Sequence, residues 1–373
     1  MGKILATDVV KQFKCLQADC PDTCCKGWSM QVDDATFVKY QQNNMENVVS
    51  YDDNIRVMKR DNKTDYCIKF TDGICGIHKE KGEEFLGDAC NFYPRITRNL
   101  GEQTLMTLSL SCPEAARLSL EENSDFNYSL QNFDRLPFHV IDWLPDGISG
   151  DNAITIHNRF LAEAKQDITA EKLLARLYAV SVSLDALNKN DWVGAVNFMF
   201  KIADGKLLPP EKSDMDDYNI FQSFLGILHA TGKKTPERLE NVVNSIAVML
   251  GVEVNYKTLN LTPKNLAAYE SAKRQWQQNS FTSVLKNYVV AQISAGTMPF
   301  GGMGKNFTER AQILIFKFAL VRLALMANIG TQNVADIIQP ICRVMDHLSS
   351  PTLTLNLMEQ FGWNSQSRLL GII

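Results

Sequence analysis

At 373 residues the chain can bury a large core and divide into two domains, with a hydrophobic fraction of 45% and a charged fraction of 21%, as in an ordinary soluble globular protein. A net charge of −4 with no basic stripe excludes broad phosphate-contact binding of nucleic acid. The most apolar long stretch, residues 313–327, carries Lys317 and Arg322 and is too short to span a bilayer, and the first residues lack the apolar core of a signal peptide; the expected compartment is the cytoplasm.

Residues 1–14 predict a short lead-in element, with Val9, Val10 and Phe13 on one side of a helical turn. From Cys15 to Trp28, four thiols fall within eleven residues among Pro21, Asp22 and Gly27, the composition of a loop that wraps a metal. Met30 and Val32 read as a short buried step, and Asp33–Asp34 as the cap of a helix over 35–42. Residues 46–66 read as a loop or exposed hairpin. Alternation around Asp72–Gly73 predicts a small hairpin, and residues 79–86 a helical turn leading to Cys90. A second hairpin is expected around residues 99–101, followed by a strand-like pass over 104–111 into Cys112. Pro113 suits the first position of a helix reaching Leu120.

Residues 121–151, carrying Pro137, Pro145, Gly147 and Gly150, read as a linker. Amphipathic helices follow at about 153–165, 169–187, 191–203, 217–230, 235–250, 263–294, 307–328, 332–347 and 353–361. The run Asp214, Asp216, Asp217 reads as a solvated helix start. Met298 to Gly304 reads as a mobile loop, and its Gly301-Gly302-Met303-Gly304 does not fit a nucleotide cradle because no strand precedes it. The expected fold is mainly α. It comprises an irregular cysteine-rich module with short hairpins over 1–120, a linker over 121–151 and an all-helical domain over 152–373.

Eight of the nine cysteines, Cys15, Cys20, Cys24, Cys25, Cys67, Cys75, Cys90 and Cys112, precede the solitary Cys342. In a reducing compartment such clusters are more often metal ligands than disulfides. The paired C-x2-C knuckles of zinc ribbons are missing, whereas Cys112-Pro113 echoes the end of a ferredoxin run. The eight N-terminal thiols are therefore candidate ligands of an iron–sulfur centre, 4Fe-4S in first place, with zinc as the alternative. One cubane needs four, so single members can be buried small hydrophobes, the expected fate of Cys342. Trp28 is expected to pack, His78 to lie at the surface, and Arg343 with His347, four apart, to form a structural pair.

These motifs carry a resemblance. Cys15-x4-Cys20-x3-Cys24-Cys25-x-Gly27-Trp28, Cys67-x7-Cys75-x-Ile77-His78, Cys90-x2-Tyr93-Pro94-Arg95 and Ser111-Cys112-Pro113-Glu114-Ala115 resemble the flagellin lysine N-methylase family, which overlaps a wider group of cysteine-cluster proteins chelating zinc or iron. The likeness is specific over residues 13–117 and looser through Tyr288, Pro299-Phe300, residues 316–325 and Arg343-x3-His347. Tyr93 stands where phenylalanine is expected. The resemblance implies methyl transfer from S-adenosylmethionine to surface lysines of flagellin, by a cytoplasmic bacterial enzyme acting before flagellin export. No membrane or nucleic-acid partner is implied, and a homo-oligomer is allowed. Lysine must lose a proton before attacking the methyl sulfonium, and the donor needs contacts to its carboxylate. Arg95 is the residue expected to bind that carboxylate as a fork, and Arg95 and Tyr288 are the candidate catalytic residues. The reading from a different class is a non-catalytic zinc- or iron-binding sensor or interaction module.

Overall fold

The chain opens with a strand, β1 (Gly2–Thr7), which runs into α1 (Asp8–Gln12) and turns Val9 and Val10 inward. The structure is a computed structural model. It describes all residues except 1, 138–139, 143, 145–147, 188–190, 214, 233–234, 256–259, 264–265, 280, 302, 332 and 349–350. Pro145, Gly147, Asp214 and Gly302, singled out above, lie outside the described residues.

Helix α2 (Asp34–Gln42) starts at Asp33, whose carboxylate accepts from the Thr36 N–H as a helix cap should. Two hairpins follow, β2 (Val49–Asp52) with β3 (Ile55–Met58), and β4 (Phe70–Thr71) with β5 (Ile74–Cys75). The second turns at Asp72–Gly73, both at positive φ, as the sequence predicts. Short helices α3 (Gly76–Lys81) and α4 (Asp88–Phe92) lead to the hairpin β6 (Arg95–Leu100) and β7 (Gln103–Leu108). Then come α5 (Pro113–Leu120), with Pro113 in its first turn, β8 (Tyr128–Phe133) and β9 (Ile141–Asp142).

The helical part comprises α6 (Gly150–Ala164), α7 (Ala170–Asp185), α8 (Trp192–Ile202), α9 (Asp216–Ala230) and α10 (Glu237–Leu250). A hairpin of β10 (Val252–Asn255) and β11 (Asn260–Pro263) intervenes. After it lie α11 (Ala267–Gln278), α12 (Thr282–Ser294), α13 (Phe307–Ala327), α14 (Ala335–Met345), α15 (Thr352–Gln360) and α16 (Gln366–Gly371). With sixteen α-helices among the described residues, the fold is mainly α.

Three expectations change. Residues 152–373 are not all-helical, because Val252, Val254 and Leu261 alternate on a hairpin that closes α10. The single helix expected over 263–294 is two. Asn279 leaves helical geometry, and its side-chain amide donates to the Gln275 carbonyl at 2.7 Å, satisfying an acceptor left over at the end of α11. Asp216 and Asp217 are buried rather than solvated. Asp216 takes Arg368 at 2.8 Å, and Asp217 takes Arg322 at 3.1 Å and the Tyr269 hydroxyl at 2.7 Å.

A five-stranded sheet of order β8-β1-β7-β6-β9 joins the two ends of the first third. Strand β1 pairs parallel to β7 and antiparallel to β8, so Leu5 lies opposite both Leu105 and Leu130. This sheet, α1, α5 and the later helices share one hydrophobic core, to which residues 121–151 give Phe126 and Ile148. A separate small core of Met30, Val32, Tyr40, Val48, Met58, Ile77 and Leu86 lies under the hairpins, with Cys67, Cys75 and Cys90 packed against it. No described helix is long and apolar enough to cross a membrane.

Candidate functional site

Gly27 adopts φ +77°, a left-handed conformation that favours glycine, and its N–H donates to the Asp65 carbonyl. One residue earlier Lys26 bridges Tyr66, and the Cys67 N–H donates to the Cys25 carbonyl at 2.7 Å. The end of the cysteine loop is thereby tied to the segment carrying Cys67. The β4–β5 register sets Cys75 opposite Phe70, whose own N–H bonds the Cys67 carbonyl, and α4 supplies Cys90.

All nine cysteines are free. Burial holds the Cys90 thiol well above its ordinary range, and charge at Cys25, Cys75 and Cys67 would raise it further. Cys67 is pushed up to about 11 by burial, with Cys25 and Cys75 adding to it. Cys25 is raised first by its hydrogen bond to the adjacent Cys24 thiol and then by burial. Cys67, Cys75 and Cys90 pack against the small core and each feels charge at Cys25, and these four make a first group. A second group forms on the large core. There Cys112, pushed up to about 12 by burial, feels Cys20 and Cys15, and Cys20 feels Cys15. Tyr93 stands between the groups, within reach of charge at Cys112 and Cys24. Among the described residues no three Cys, His, Asp or Glu side chains are gathered closely enough to hold a metal ion. Free thiols are the ligand type that soft metals and iron–sulfur iron take, but among the described residues the first group is not gathered into a ligand set.

Helix α14 grips the cysteine loop. Arg343 pairs with Asp22 at 2.5 Å, donates to the carbonyls of Asp22, Thr23 and Lys26, and lies over the Trp28 ring at 5.1 Å. One turn earlier Gln339 donates to the Asp22 carboxylate and the Ser111 carbonyl, each at 2.8 Å. Just past the helix end, the His347 ring packs edge-on against Trp28 at 4.4 Å, and its Nε2 lies 3.1 Å from Ser111 Oγ. Arg343 and His347 both face the loop, and no hydrogen bond joins them among the described residues. The signal in the sequence was the spacing of four that puts Gln339 and Arg343 on one face of a mostly apolar helix.

A cleft of about 600 Å³ opens where these parts meet, lined by Trp28, Asp33, Asp88, Tyr93, Arg95 and His347 among others. Tyr93 meets Trp28 edge-on at 5.0 Å, and its hydroxyl reaches Ser111 at 3.2 Å. Arg95, the first residue of β6, lies over the Phe13 ring at 5.1 Å, and burial lowers its pKa. No hydrogen bond or ion pair among the described residues occupies its guanidinium. Of the other sequence candidates, Tyr288 is fully buried in α12 and is not in the cleft lining. His78 is exposed on α3, and Cys342 is fully buried. The loop expected to be mobile is packed, with Met298 and Phe300 buried and the Pro299 and Gly301 carbonyls accepting from Arg310 at 3.1 Å.

Comparison with known proteins gives a consistent assignment. The FliB lysine N-methylase C-terminal domain matches residues 172–371. The flagellar biosynthetic protein FliU of Salmonella muenchen is 29% identical over 136 residues, a stretch covering 33% of this chain and 80% of FliU. The lysine-N-methylases of Salmonella typhimurium and Salmonella choleraesuis are each 28% identical over 136 residues, but the stretch spans only 34% of their length. No solved structure matches. Its residues 172–371, which include the α14 clamp, place the chain in the FliB lysine N-methylase C-terminal domain family.

Proposed function

We propose that this protein transfers methyl groups from S-adenosylmethionine to lysine ε-amino groups of flagellin in the cytoplasm, and that its N-terminal thiols hold an iron–sulfur cluster. The observation that carries the reading is Arg95, whose guanidinium lies over Phe13 with no hydrogen bond or ion pair among the described residues, at the wall of a cleft of about 600 Å³, large enough for a nucleoside-sized donor. Its planar fork suits the donor carboxylate, and its partial burial strengthens such a pair. Trp28 and Phe92 offer the apolar and aromatic surface an adenine requires. The family membership supports lysine methylation, and the names of the Salmonella relatives point to the flagellum.

Cys25, Cys67, Cys75 and Cys90 are the thiols that would hold the cluster, with zinc the alternative occupant. Such a centre would supply cross-linking of four segments around a core of seven buried hydrophobic residues, a role metals commonly play in small modules. It would do so next to the cleft, since Asp88 and Ala89 of the lining immediately precede Cys90.

The test incubates purified protein with flagellin and methyl-labelled S-adenosylmethionine, and follows label on lysine by peptide mass spectrometry alongside iron, sulfide and zinc content. Label on flagellin lysines is expected, with iron and sulfide in equal amounts. A protein that holds metal and transfers no label is the non-catalytic metal-binding module instead.

A further inference from the structure

Among the groups lining the cleft, most titratable side chains already have partners. Asp33 accepts hydrogen bonds from the Thr36 N–H, the Thr36 hydroxyl and the Asp88 N–H. Asp34 pairs with Arg56, and Asp88 pairs with Arg135 at 2.7 Å. Tyr93 is held well above its ordinary pKa by burial, and Cys112 would add to that, so it keeps its proton. His347 differs. It is an exposed residue that also lines the cleft. Its Nε2 contact with Ser111 accepts either tautomer. Ser111 Oγ lies 3.1 Å from His347 Nε2, 3.2 Å from the Tyr93 hydroxyl and 2.7 Å from Ser109 Oγ. In the tautomer that acts as a base, Nε2–H and the Tyr93 hydroxyl donate to Ser111 while Ser111 donates to Ser109. The lone pair is then on Nδ1, which no described group occupies.

We infer that His347 is the general base of the methyl transfer, with Ser111 as the positioning residue that holds its ring. This rests on the functional reading above. The substrate ammonium gives a proton from Nζ to His347 Nδ1. The freed Nζ lone pair attacks the donor methyl carbon, the N–C bond forms, and the C–S bond breaks with its electron pair left on sulfur. The products are a methylammonium, a neutral thioether and an imidazolium whose proton passes to solvent at this exposed residue. The donor's sulfonium and the Arg95 and Arg343 guanidiniums lower the acceptor lysine's pKa toward that of an imidazole. The charges facing His347 are Asp346 beside it, Lys317 of α13 and Arg343 of α14, and no thiol is among them. Partial burial is the main influence and keeps the ring neutral, with Lys317 and Arg343 assisting and Asp346 opposing.

The test measures single-turnover transfer from S-adenosylmethionine to flagellin across pH 5 to 9 for wild type, His347→Gln and Ser111→Ala, with donor affinity and metal content measured in parallel. Removal of a general base lowers rate by about 10²–10⁴-fold, so His347→Gln should lose at least about 100-fold near neutral pH while binding donor and metal as wild type does. Its acid limb, below about pH 6.5 in wild type, should disappear. Ser111→Ala keeps the imidazole and should show a smaller loss with a displaced acid limb, which covers the case in which His347→Gln does not fold. Unchanged rates in either folded variant would overturn the assignment, as would a loss of donor affinity matching the loss of rate. A wild type that transfers nothing overturns the functional reading itself, and this assignment with it.

Discussion

Asp33 accepts from the Thr36 N–H and hydroxyl, each at 2.8 Å, and from the Asp88 N–H at 3.0 Å, so one carboxylate starts α2 and anchors the helix that carries Cys90. Burial alone would raise its pKa, but these hydrogen bonds prevail and hold it below the ordinary value. Asp33→Ala should destabilise the fold by about 2 kcal/mol, read from urea unfolding, because a cap is lost and buried donors are left unsatisfied. A depressed carboxyl stabilises the native state above its unfolded pKa of about 3.9, and that contribution fades as pH falls through the lower native value. The gap between wild type and Asp33→Ala should therefore shrink below about pH 4. A gap unchanged from pH 7 to pH 3 would show that the carboxylate's charge is not what matters. The cap itself was legible in Asp33-Asp34 before an apolar helix. The bond to Asp88 was not, because nothing local links residues 55 apart.

Elements with strong local signals were readable from sequence. Capped helices, the Asp72–Gly73 turn and Pro113 at a helix start all follow from backbone preferences. Strands β1 and β8 were not readable, because their pairing partners lie more than a hundred residues apart in the chain and β8 is a half-exposed edge strand without a clear period. The same holds for Gly150, which reads as a linker glycine but begins α6 against the β6–β7 turn. A Cβ on Gly150 would lie 2.4 Å from the Gly101 Cα, so the two backbones meet where neither residue can carry a side chain. In an ordinary helix alanine is favoured over glycine by about 1 kcal/mol. Gly150→Ala should instead lower the thermal midpoint, since the turn or the helix must shift. A midpoint equal to or above wild type would mean that this contact is loose.

Across the whole molecule, the candidate ligand thiols come from residues before 113, while Gln339, Arg343 and His347 come from the family domain at the far end of the chain. The candidate ligands were legible as a composition asymmetry. Their division into two groups was not, because spacing along the chain does not fix which core a thiol faces. Nor was the clamp, which joins residues more than three hundred positions apart. Because Trp28 lies between Arg343, His347 and Tyr93, the loop that bears Cys24 and Cys25 also builds the cleft wall. The cysteine loop and the cleft thus share a wall, where Arg95 lies over Phe13 without a hydrogen bond or ion pair among the described residues. The most direct test is calorimetric titration of S-adenosylmethionine into wild type and Arg95→Ala. Saturable binding by wild type is expected, weakened about 10- to 100-fold in the variant, as loss of a charge-assisted pair of roughly 1.5–3 kcal/mol requires. Equal affinity in the two proteins, or no binding by either, would contradict the account.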